Sequence, residues 1–383
     1  MKIVHICLCG AMTDGLNYQE NIITKYHRKF GNEVTIIASQ WIWGSNGQLQ
    51  ITDKTNYINN DNVKMIRIPL KRGNVNGKLK IYPSLYDTVE KEKPDILFIH
   101  DCQFLDICVL ARYVKKHREV RVYVDNHVDY SNGAHGWLSK NILHKGLWKY
   151  CVKKIEPYVT KFYGVLPARV DFLKEMYGLS PDKCELLVMG ADDELVEAVD
   201  NEEIRQSIRK RYNIYKDDFL IMTGGKIDCW KTQTIFLMEA VKNIESKKVR
   251  LIVFGSVEPE LKEKVDSLVD GKKIQYIGWV QAKESYQYFA AADLVVFPGR
   301  HSVFWEQVTG QGIPMIVKKW PGTQHVDLGG NVKFLTQDST KEIQSSIENL
   351  LKNPGEYYKM KKVALEKGMK VFSYNDIARR SIV

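Results

Sequence analysis

The sequence lacks any apolar run long enough to cross a membrane. A spanning helix needs about 20 consecutive apolar residues, and no stretch of the 383 residues approaches that length. The opening residues, MKIVHICLCG, are too short for a signal peptide and alternate polar with apolar side chains, so we expect a first strand there. With 44% hydrophobic and 27% charged residues, the composition is typical of a soluble globular protein.

The sequence also lacks cysteine patterns typical of metal or redox sites. The seven cysteines form no CxxC pair, and no Cys/His cluster has the spacing of zinc ligands. Most of the cysteines lie on or beside predicted strands, which favours buried free thiols in a reducing cytosol. We therefore expect a cytoplasmic protein without a bound metal.

Fingerprints for two large ligand classes are also absent. The glycines after the first predicted strand do not give the GxGxxG spacing of NAD-binding domains. The net charge of +10 favours an anionic partner, but the basic residues are dispersed and no nucleic-acid-binding motif is visible. We expect a phosphate-bearing ligand or an anionic membrane surface, and no nucleic acid.

Strand patterns alternate with helical patterns along most of the chain, which predicts an α/β fold with helices on both faces of parallel sheets. The chain is too long for one ordinary core, so we expect two domains. Their boundary falls near residues 191–215, a charged stretch that carries no strand signal. The predicted strands cover residues 3–9, 33–38, 63–68, 96–100, 120–125, 162–165, 185–188, 219–222, 250–254, 274–277, 294–297, 315–317 and 332–335. The predicted helices cover residues 17–30, 79–91, 104–116 and 356–383, the last with a break at 372–374.

A glycine-rich strand end opens the predicted second domain. The segment from Met222 to Lys231 reads MTGGKIDCWK. Gly225 lets backbone N–H groups approach a phosphate, and Lys226 and Lys231 would bracket a diphosphate as point charges. The alternative is a tight turn with two exposed lysines.

The segment FPGRHSVFWEQVTGQGIP ends another predicted strand and is the most informative stretch of the chain. Loops at the carboxyl ends of strands in α/β sheets bind ligands. Here Arg300, His301 and Ser302 precede a helix expected to begin near Val303, and a helix N-terminus is a natural seat for an anion. An anion seat beside polar side chains suits a nucleotide sugar that donates its sugar. We predict His301, Ser302 and Val303 as ligands of this donor. A cap of the helix is the alternative for His301.

Two more sets of donor ligands are predicted in the second half. Glu306 and Gln307 lie one turn further along that helix, within reach of sugar hydroxyls, unless they simply occupy its exposed face. Gly278, Trp279 and Val280 end a strand where a nucleotide base can be held by backbone contacts or stacking. An ordinary core position is equally compatible with Trp279.

The loop between the first strand and the first helix is a candidate sugar-binding segment, because a doubly wound domain binds its ligand there. A helix N-cap by Thr13 or Asp14 is the alternative. The candidate ligands of the acceptor or the sugar in this loop are Gly10, Asp14, Asn17, Tyr18 and Gln19.

Titratable residues follow two further strands of the first half. His100 and Asp101 end one of them, and Asp125, His127 and Asp129 end the next. Both ends are expected at the ligand edge of one sheet, where histidine and aspartate can orient a sugar or stabilise developing charge. We predict His127 and Asp125 as catalytic residues together with the two lysines, and the other three as sugar ligands. Purely structural histidines are the alternative.

The segment from Trp137 to Tyr158, WLSKNILHKGLWKYCVKKIEPY, interleaves tryptophan and other apolar residues with lysines. Tryptophan and lysine on an amphipathic helix suit the boundary of an anionic bilayer. The alternative is a helix that covers the first sheet and exposes a solvated lysine face.

These pieces, in this order, resemble the family-4 glycosyltransferases of the two-domain GT-B fold, over nearly the whole chain. That family has a Gly-Arg at the first strand of its second domain and a Lys five residues after the Arg. Here Gly225, Lys226 and Lys231 match this spacing, with Lys in place of Arg. Further matches are Phe254-Gly255, Ile277-Gly278, Ala290 to Pro298, Val188-Met-Gly190-Ala-Asp192 at the domain junction, and the Gly-x-Pro of Gly312-Ile-Pro314.

One departure from the family concerns its two glutamates, which lie eight residues apart. Gln307 stands at the position of the second, with Glu306 beside it, and Gly299 stands at the position of the first. His301 and Ser302 occupy the space of that first glutamate. Ribose binding by Gln307 or Glu306 remains implied by the resemblance, whereas a carboxylate contact with the transferred sugar does not.

The resemblance implies two doubly wound domains facing a cleft, residues 1–195 on the acceptor side and 196–368 on the donor side, with a C-terminal helix, 369–383, returning to the first. It implies a hexosyl-type, retaining, metal-independent transferase. The enzyme would move sugar from a UDP or GDP donor to a glycan or lipid-linked acceptor in bacterial surface-polysaccharide synthesis, at the inner face of the membrane and without a cofactor. The alternatives are a catalytically silent partner subunit or sugar-binding module on the same fold, and a nucleotide-sugar epimerase.

Overall fold

The chain folds into two compact units. The computed structural model describes residues 1–44, 48–71, 75 and 77–383. The first unit combines Met1–Val188 with Asn375–Val383, and the second comprises Met189–Tyr374. The sequence placed these boundaries a few residues away, after positions 195 and 368. The short segments between belong to the second unit because the backbone at Ala191 pairs with that of Phe372 and Tyr374, through hydrogen bonds of 2.7 and 3.1 Å.

The first unit is built on an eight-stranded sheet with the order β10-β9-β8-β7-β1-β2-β6-β5. The edge strand β5 runs antiparallel to β6, the other neighbours pair in parallel, and β3 and β4 form a separate antiparallel pair. The order reverses between β1 and β7, so their carboxyl ends flank a topological switch point, where α/β sheets bind ligands. The strands are β1 (Lys2–Cys7), β2 (Glu33–Ser39), β3 (Trp41–Trp43), β4 (Leu49–Ile51), β5 (Asn56–Ile58), β6 (Lys64–Ile68), β7 (Ile96–His100), β8 (Arg121–Asn126), β9 (Val159–Gly164) and β10 (Cys184–Leu186).

Helices cover both faces of this sheet, which explains why its central strands read as almost continuous apolar runs. Every residue of β7 is buried, and its side chains pack with those of α3 and α4 in the main core. The helices are α1 (Gln19–Lys29), α2 (Leu85–Glu92), α3 (Ile107–Lys116), α4 (Lys149–Ile155) and α5 (Pro167–Tyr177), with a π-helical segment, Ser139–Trp148, leading into α4. Short 3₁₀ turns lie at Glu156–Tyr158 and Pro181–Lys183.

The second unit contains a six-stranded parallel sheet with the order β13-β12-β11-β14-β15-β16. This is again a doubly wound order, and its switch point lies between β11 and β14. Both halves of the predicted α/β fold are therefore confirmed. The strands are β11 (Phe219–Gly224), β12 (Val249–Phe254), β13 (Ile274–Tyr276), β14 (Leu294–Phe297), β15 (Met315–Lys318) and β16 (Val332–Leu335).

The helices of the second unit pack against this sheet, and the last of them ends at Phe372, where the sequence predicted a break. A short helix follows and carries the chain back to the first unit. The helices of the second unit are α6 (Asp193–Val199), α7 (Glu202–Arg211), α8 (Gln233–Asn243), α9 (Pro259–Asp266), α10 (Ser285–Ala291), α11 (Phe304–Gly310), α12 (Thr340–Lys352) and α13 (Pro354–Phe372), with a 3₁₀ turn at Gln324–Val326. The short helix that returns to the first unit is α14 (Tyr374–Arg380). Across the described ranges, none of the helices combines the length and the apolar content needed to cross a bilayer.

Candidate active site

The switch point of the second unit begins with close backbone packing that only glycine permits. Gly225 and Gly255 follow β11 and β12 and have φ values of 126° and 124°. A Cβ atom on Gly255 would collide with the carbonyl of Gly225. The chain therefore leaves these strand ends as a bare backbone turn, the kind of surface that can approach a phosphate closely.

Three basic side chains gather beside that turn. The exposed Lys226 amine lies 2.9 Å from Glu258 Oε1 and 3.5 Å from Asp228 Oδ2, and its hydrogen bond to Glu258 raises its pKa. Burial lowers the pKa of Lys231, and the nearby positive charges of Lys226 and Arg300 lower it further. The carboxylate of Asp228 raises it and offsets part of this effect. The structure thus brings the two predicted lysines together at the switch point and adds Arg300 to them.

Arg300 is positioned by an aromatic neighbour. Its guanidinium lies 5.0 Å from the centre of the Trp230 ring, within cation–π distance. Trp230 lies between the two lysines in sequence and is 64% exposed. This contact links the loop after β14 to the loop after β11, across the switch point.

The loop after β14 also contains a buried carboxylate held by two histidines. Oε1 of Glu306 accepts hydrogen bonds from Nε2 of His301, at 2.7 Å, and from Nε2 of His325, at 2.8 Å. Burial opposes ionisation, but both histidines lower the pKa of Glu306 well below its usual range. The proposed capping role of His301 is therefore not what the structure shows, since its Nε2 is engaged by Glu306.

Burial also decides between the two interpretations of Glu306 and Gln307. Both side chains are buried, so an exposed helix face is excluded. The Gln307 amide donates to Ser285 Oγ at 3.0 Å and to Gln311 Oε1 at 3.3 Å. The sugar contacts proposed for this pair stay a prediction. Ser302 and Val303 are half-buried immediately before α11, without a side-chain cap at its first turn.

The predicted base-binding segment lies beyond β13. Gly278 has a φ of 76° and its carbonyl accepts a 2.7 Å hydrogen bond from the Gly255 N–H. Trp279 is 72% exposed, which excludes the core position, while Val280 is buried. An exposed indole at the ligand edge of the sheet is available to stack on a base.

At the switch point of the first unit, the β1–α1 loop is fixed by side chains of other strands. Asp14 accepts a 2.6 Å hydrogen bond from the Tyr57 hydroxyl and lies 3.8 Å from the Arg67 guanidinium. The N-cap alternative is wrong, because α1 is preceded by Tyr18 and has no side-chain cap. Gln19 is buried, and its amide atoms have no hydrogen-bond partner among the described residues. Gly10 is exposed and Asn17 half-buried in the same loop.

The two predicted His/Asp strand ends meet at the ends of β7 and β8. The fully buried Asp125 accepts from Nδ1 of His100 at 2.7 Å and lies 3.4 Å from Nε2 of His127. Its other contact is a 3.1 Å hydrogen bond from the Asp101 N–H. Asp101 has a φ of 63°, which is rare for a residue with a side chain, and its Oδ1 accepts a 2.7 Å hydrogen bond from the His127 N–H. These four residues form one connected cluster.

Asp129, the fifth predicted residue of these strand ends, is engaged in its own loop. Its carboxylate accepts a 2.6 Å hydrogen bond from the Ser131 N–H and lies 3.4 Å from the Arg169 guanidinium. The side chain is buried, so it supports the shape of the loop that carries His127. The predicted sugar contact of Asp129 stays a prediction.

Sequence reasoning missed several charged and imidazole groups near these sites. Burial raises the pKa of Glu20, the residue after Gln19, in a field set by His100, His127 and Asp125. Glu258 in the second unit pairs with a predicted phosphate-binding lysine. His5 was also missed, although a histidine inside the apolar strand pattern KIVHIC is a signal of a buried polar contact. Its Nδ1 lies 3.0 Å from His100 Nε2.

In the part of the chain that the structure describes, two histidine–carboxylate groups each bring three ligand-type atoms within 4.8 Å of one another, one in each unit. They are His100, Asp125 and His127, and His301, Glu306 and His325. Their shortest N···O separations are 2.7 Å, the length of a charge-assisted hydrogen bond. Two ligands that share a zinc ion at 2.0–2.1 Å lie about 3 Å apart or more. We therefore interpret both groups as hydrogen-bonded ion pairs.

A family of known proteins matches the part of the chain that contains the basic side chains of the second unit. Residues 218–353, which include the second switch point, match the family model described as "Glycosyl transferases group 1". This match lies within the second unit. No curated protein sequence matches the chain significantly.

Solved structures show how far the fold extends. HepE from Anabaena, crystallised with UDP, has a TM-score of 0.72 and 15% identity over 99% of this chain and 98% of that one. Sucrose-phosphate synthase from Thermosynechococcus elongatus has a TM-score of 0.68 and 14% identity over 99% and 96%. WaaG, a glycosyltransferase involved in lipopolysaccharide biosynthesis, has a TM-score of 0.68 and 13% identity over 99% of both chains. The predicted GT-B fold is thus confirmed.

Proposed function

We propose that this enzyme transfers a sugar from a nucleoside-diphosphate donor to a glycan or lipid-linked saccharide, with retention of configuration and without a metal ion. The observation that carries the proposal is the group of cations around the Gly225 turn, Lys226, Lys231 and Arg300, within the segment that matches the family model. A metal-independent transferase needs protein cations of this kind, because the leaving diphosphate gains negative charge as the glycosidic bond breaks.

We propose that the base and the sugar of the donor bind at the neighbouring strand ends. The exposed Trp279 supports the base, and a uridine nucleotide is favoured since the similar HepE structure contains UDP. His301, which is held on Glu306, takes the position vacated by the family's first glutamate. Stabilisation of an oxocarbenium-like transition state then depends on the diphosphate itself and on these oriented dipoles.

In the first unit we propose that His127 contacts a hydroxyl of the transferred sugar. The side chain remains partly accessible, with 26% of its surface exposed, while its partner Asp125 is fully buried. Burial alone would lower the pKa of His127, but the charges of Asp125 and Asp101 outweigh it and raise the pKa to about 9. His127 is then a cationic donor at neutral pH.

A role in bacterial surface-polysaccharide synthesis at the inner face of the membrane is part of the proposal. One face of the segment Ser139–Ile155 packs into the core through Trp148 and Val152. Apolar side chains elsewhere in the segment and just before it are exposed: Trp137 by 70%, Leu138 by 66%, Ile142 by 58% and Tyr150 by 60%. The expected helical cover of the sheet is thus present, and the exposed residues, interleaved with lysines, fit contact with an anionic membrane and a lipid-linked acceptor.

The phosphate assignment is tested by replacing both lysines, Lys226→Ala with Lys231→Ala. We expect UDP or GDP to raise the melting temperature of the wild-type protein by mass action and to leave that of the double variant unchanged. Turnover, measured as transfer or as donor hydrolysis, should fall at least about 100-fold. Lys248→Ala with Lys262→Ala removes the same charge from exposed sites, with side-chain exposures of 68% and 63%, and serves as the matched control.

Near-normal turnover in the Lys226/Lys231 variant would refute the phosphate assignment. Retention is read from the anomeric configuration of the first-formed product, and metal independence from activity in excess EDTA. If the wild-type protein binds nucleotide but neither transfers nor hydrolyses any sugar, the silent-subunit alternative replaces the proposal. Turnover of the donor to an epimer without acceptor would indicate the epimerase instead.

A further inference from the structure

A continuous chain of buried side chains runs through the first unit and ends at the candidate site. It starts at the carbonyl of Ala378 in α14, which lies 3.0 Å from Nε2 of His27 in α1. His27 Nδ1 lies 3.1 Å from His5 Nε2 in β1, and His5 Nδ1 lies 3.0 Å from His100 Nε2 in β7. His100 Nδ1 then meets Asp125 in β8 at 2.7 Å. We call His27, His5 and His100 the histidine chain.

The histidine chain is shielded from water along its whole length. His5 and His27 are 0% exposed, and His100 is 6% exposed. Both nitrogens of each ring have a hydrogen-bond partner. A buried imidazole with two occupied nitrogens has a protonation state that its partners dictate, because an N–H must face each acceptor and a lone pair each donor.

The C-terminal end sets the direction of every bond in the chain. We assign the hydrogen of His27 to Nε2, because the Ala378 carbonyl, 3.0 Å away, only accepts. The Ser381 hydroxyl, 3.0 Å from the same nitrogen, donates its own hydrogen to the Ala378 carbonyl at 2.9 Å and so accepts as well. Neutral His27 then offers a lone pair at Nδ1, which requires a hydrogen on His5 Nε2. By the same step, neutral His5 requires a hydrogen on His100 Nε2.

His100 therefore needs hydrogens on both nitrogens. Its Nε2 donates to His5, and its Nδ1 faces the carboxylate of Asp125, which accepts when ionised. The chain holds one proton more than three neutral imidazoles would, and that charge balances the carboxylate. Burial and the neighbouring imidazoles lower the pKa of His5, and burial lowers that of His27 to about 4. Both effects keep these two rings neutral and leave the charge on His100, against Asp125.

We propose that His5, His27 and His100 are positioning residues, which fix an imidazolium at His100 and thereby hold Asp125 in the orientation that directs its second oxygen to His127. Oδ2 of Asp125 is occupied by His100. Oδ1 is left for the Asp101 N–H and for Nε2 of His127. The inference rests on the proposed role of His127, and it makes the last residues of the chain part of the support of the site.

The charge on His100 also tunes the field at His127. The charged or titratable groups that act on His127 are Asp125 and Asp101, which favour its proton, Arg169, which opposes it, and Glu20. A cation on His100 offsets part of the charge of Asp125. Without it, Asp125 would act on His127 uncompensated, and the pKa of His127 would rise further.

The test uses two amide substitutions of His27 in the full-length protein. In His27→Asn, the amide oxygen stands near the position of Nδ1 and can still accept from His5. In His27→Gln, the amide stands near the position of Nε2 and can still donate to Ala378, but His5 loses its acceptor. His5 is then free to carry its hydrogen on Nδ1 and to donate to His100, which becomes a neutral ring that donates only to Asp125. This uncharged chain avoids a buried ion.

The readout is nitrogen NMR of histidine-labelled protein, with the nine histidines assigned by single substitutions. At pH 8 we expect His100 of the wild type and of His27→Asn to show both nitrogens protonated, and His100 of His27→Gln to show one. The titration midpoint of His127 should rise by about half a pH unit or more in His27→Gln only. Thermal unfolding of both variants verifies that the fold is intact.

A neutral His100 in the wild type, or equal behaviour of the two variants, overturns the inference. If His27→Gln does not fold, His5→Asn provides the second route, because it removes the Nε2 link to His27 and keeps an acceptor for His100, so it should retain the His100 imidazolium. Failure of the proposed function looks different. The protonation states of His100 seen by NMR would then be as expected, but the pH dependence of turnover would not change with the titration midpoint of His127.

Discussion

At the scale of single residues, the two candidate sites share one device, a buried carboxylate whose charge is balanced by histidine. Asp125 is held by His100 and His127, and Glu306 by His301 and His325. A buried carboxylate is costly without such partners. In both sites one histidine of the pair remains partly accessible, so the buried charge orients a ring that can face a ligand.

The stability of the second unit should depend on Glu306 in a pH-dependent way. Because its pKa is lowered in the folded protein, ionised Glu306 stabilises the fold at pH values above about 4.3, the usual pKa of a free glutamate, and this contribution is lost as the pH falls below it. Glu306→Gln should therefore lower the free energy of unfolding by about 3 kcal/mol at pH 7. Urea unfolding at pH 7 and pH 3 measures this, and the difference from wild type should shrink at pH 3, because the loss occurs between the usual and the lowered pKa.

Glu348→Gln is the control for that prediction, because its carboxylate lies on the accessible side of α12 beside Lys352 and Gln344. It should change the stability by less than about 0.5 kcal/mol. Equal effects of the two substitutions, or a Glu306→Gln effect that is constant from pH 7 to pH 3, would contradict the assignment of an ionised buried carboxylate.

The sequence could identify residue types at the strand ends but not their partners. His100, Asp125 and His127 were predicted together because parallel strands end at the same edge of a sheet. His27 was not, because its partner Ala378 is 351 positions away and nothing local marks the contact. The contact of Glu306 with His325 was not predicted either, because nothing in the sequence shows that these two residues lie together.

At the scale of elements, the strands were predictable and several connections were not. The strand over residues 96–100 is confirmed to the residue as β7, because a buried parallel strand reads as an apolar run. The helix predicted over 79–91 begins only at Leu85. Pro83 accounts for the difference, as the residue before a proline disfavours helical geometry. The short strands β3, β4 and β5 have three residues each, too few for a periodic signal.

Gly255, at the end of β12, should not tolerate replacement by a larger residue. Gly255→Ala would force a Cβ into the Gly225 carbonyl at a positive φ, so we expect a loss of about 3 kcal/mol or more in the free energy of unfolding. Chemical unfolding measures the loss. Nucleotide binding should weaken as well, since the turn beside Lys226 has to move.

Gly271→Ala separates strain from collision. Gly271 also has a positive φ, 70°, but nothing lies within 4 Å of an added Cβ. The expected cost is therefore about 1 kcal/mol, from the backbone conformation alone. A Gly255→Ala variant as stable as Gly271→Ala would show that the strand ends are not packed as described.

At the scale of the whole molecule, the fold class could be predicted from the alternation of strand and helix patterns and from the chain length. The boundaries of the two units could not, because they depend on backbone hydrogen bonds between distant segments. The sequence assigned residues 369–383 to one returning helix. The structure instead divides the chain at Tyr374, because the backbone on either side of Ser373 pairs with Ala191 in the second unit. Such a contact between distant segments leaves no trace in local composition.

Membrane contact is the whole-molecule property that most needs a direct test. Vesicles of phosphatidylcholine with phosphatidylglycerol should carry the protein upward in a flotation gradient at low salt, and less so as salt screens the lysines. Trp137→Ser with Ile142→Ser should abolish flotation. Tyr358→Ser with Leu365→Ser, on α13, removes equally exposed apolar side chains, 66% and 62% exposed, and should leave flotation unchanged. Failure of the wild type to float at low salt removes this part of the proposal.

The discontinuous first unit has a consequence for biosynthesis. Its segment Met1–Val188 emerges from the ribosome before the second unit, but Asn375–Val383, which supplies the carbonyl for His27, emerges after it. At a synthesis rate of about 5–20 residues per second, His27 waits on the order of 20–70 s for that partner. The whole of the second unit is synthesised during the wait. The unit that is translated first is thus completed last, and a chain interrupted before Asn375 would carry an unfinished site.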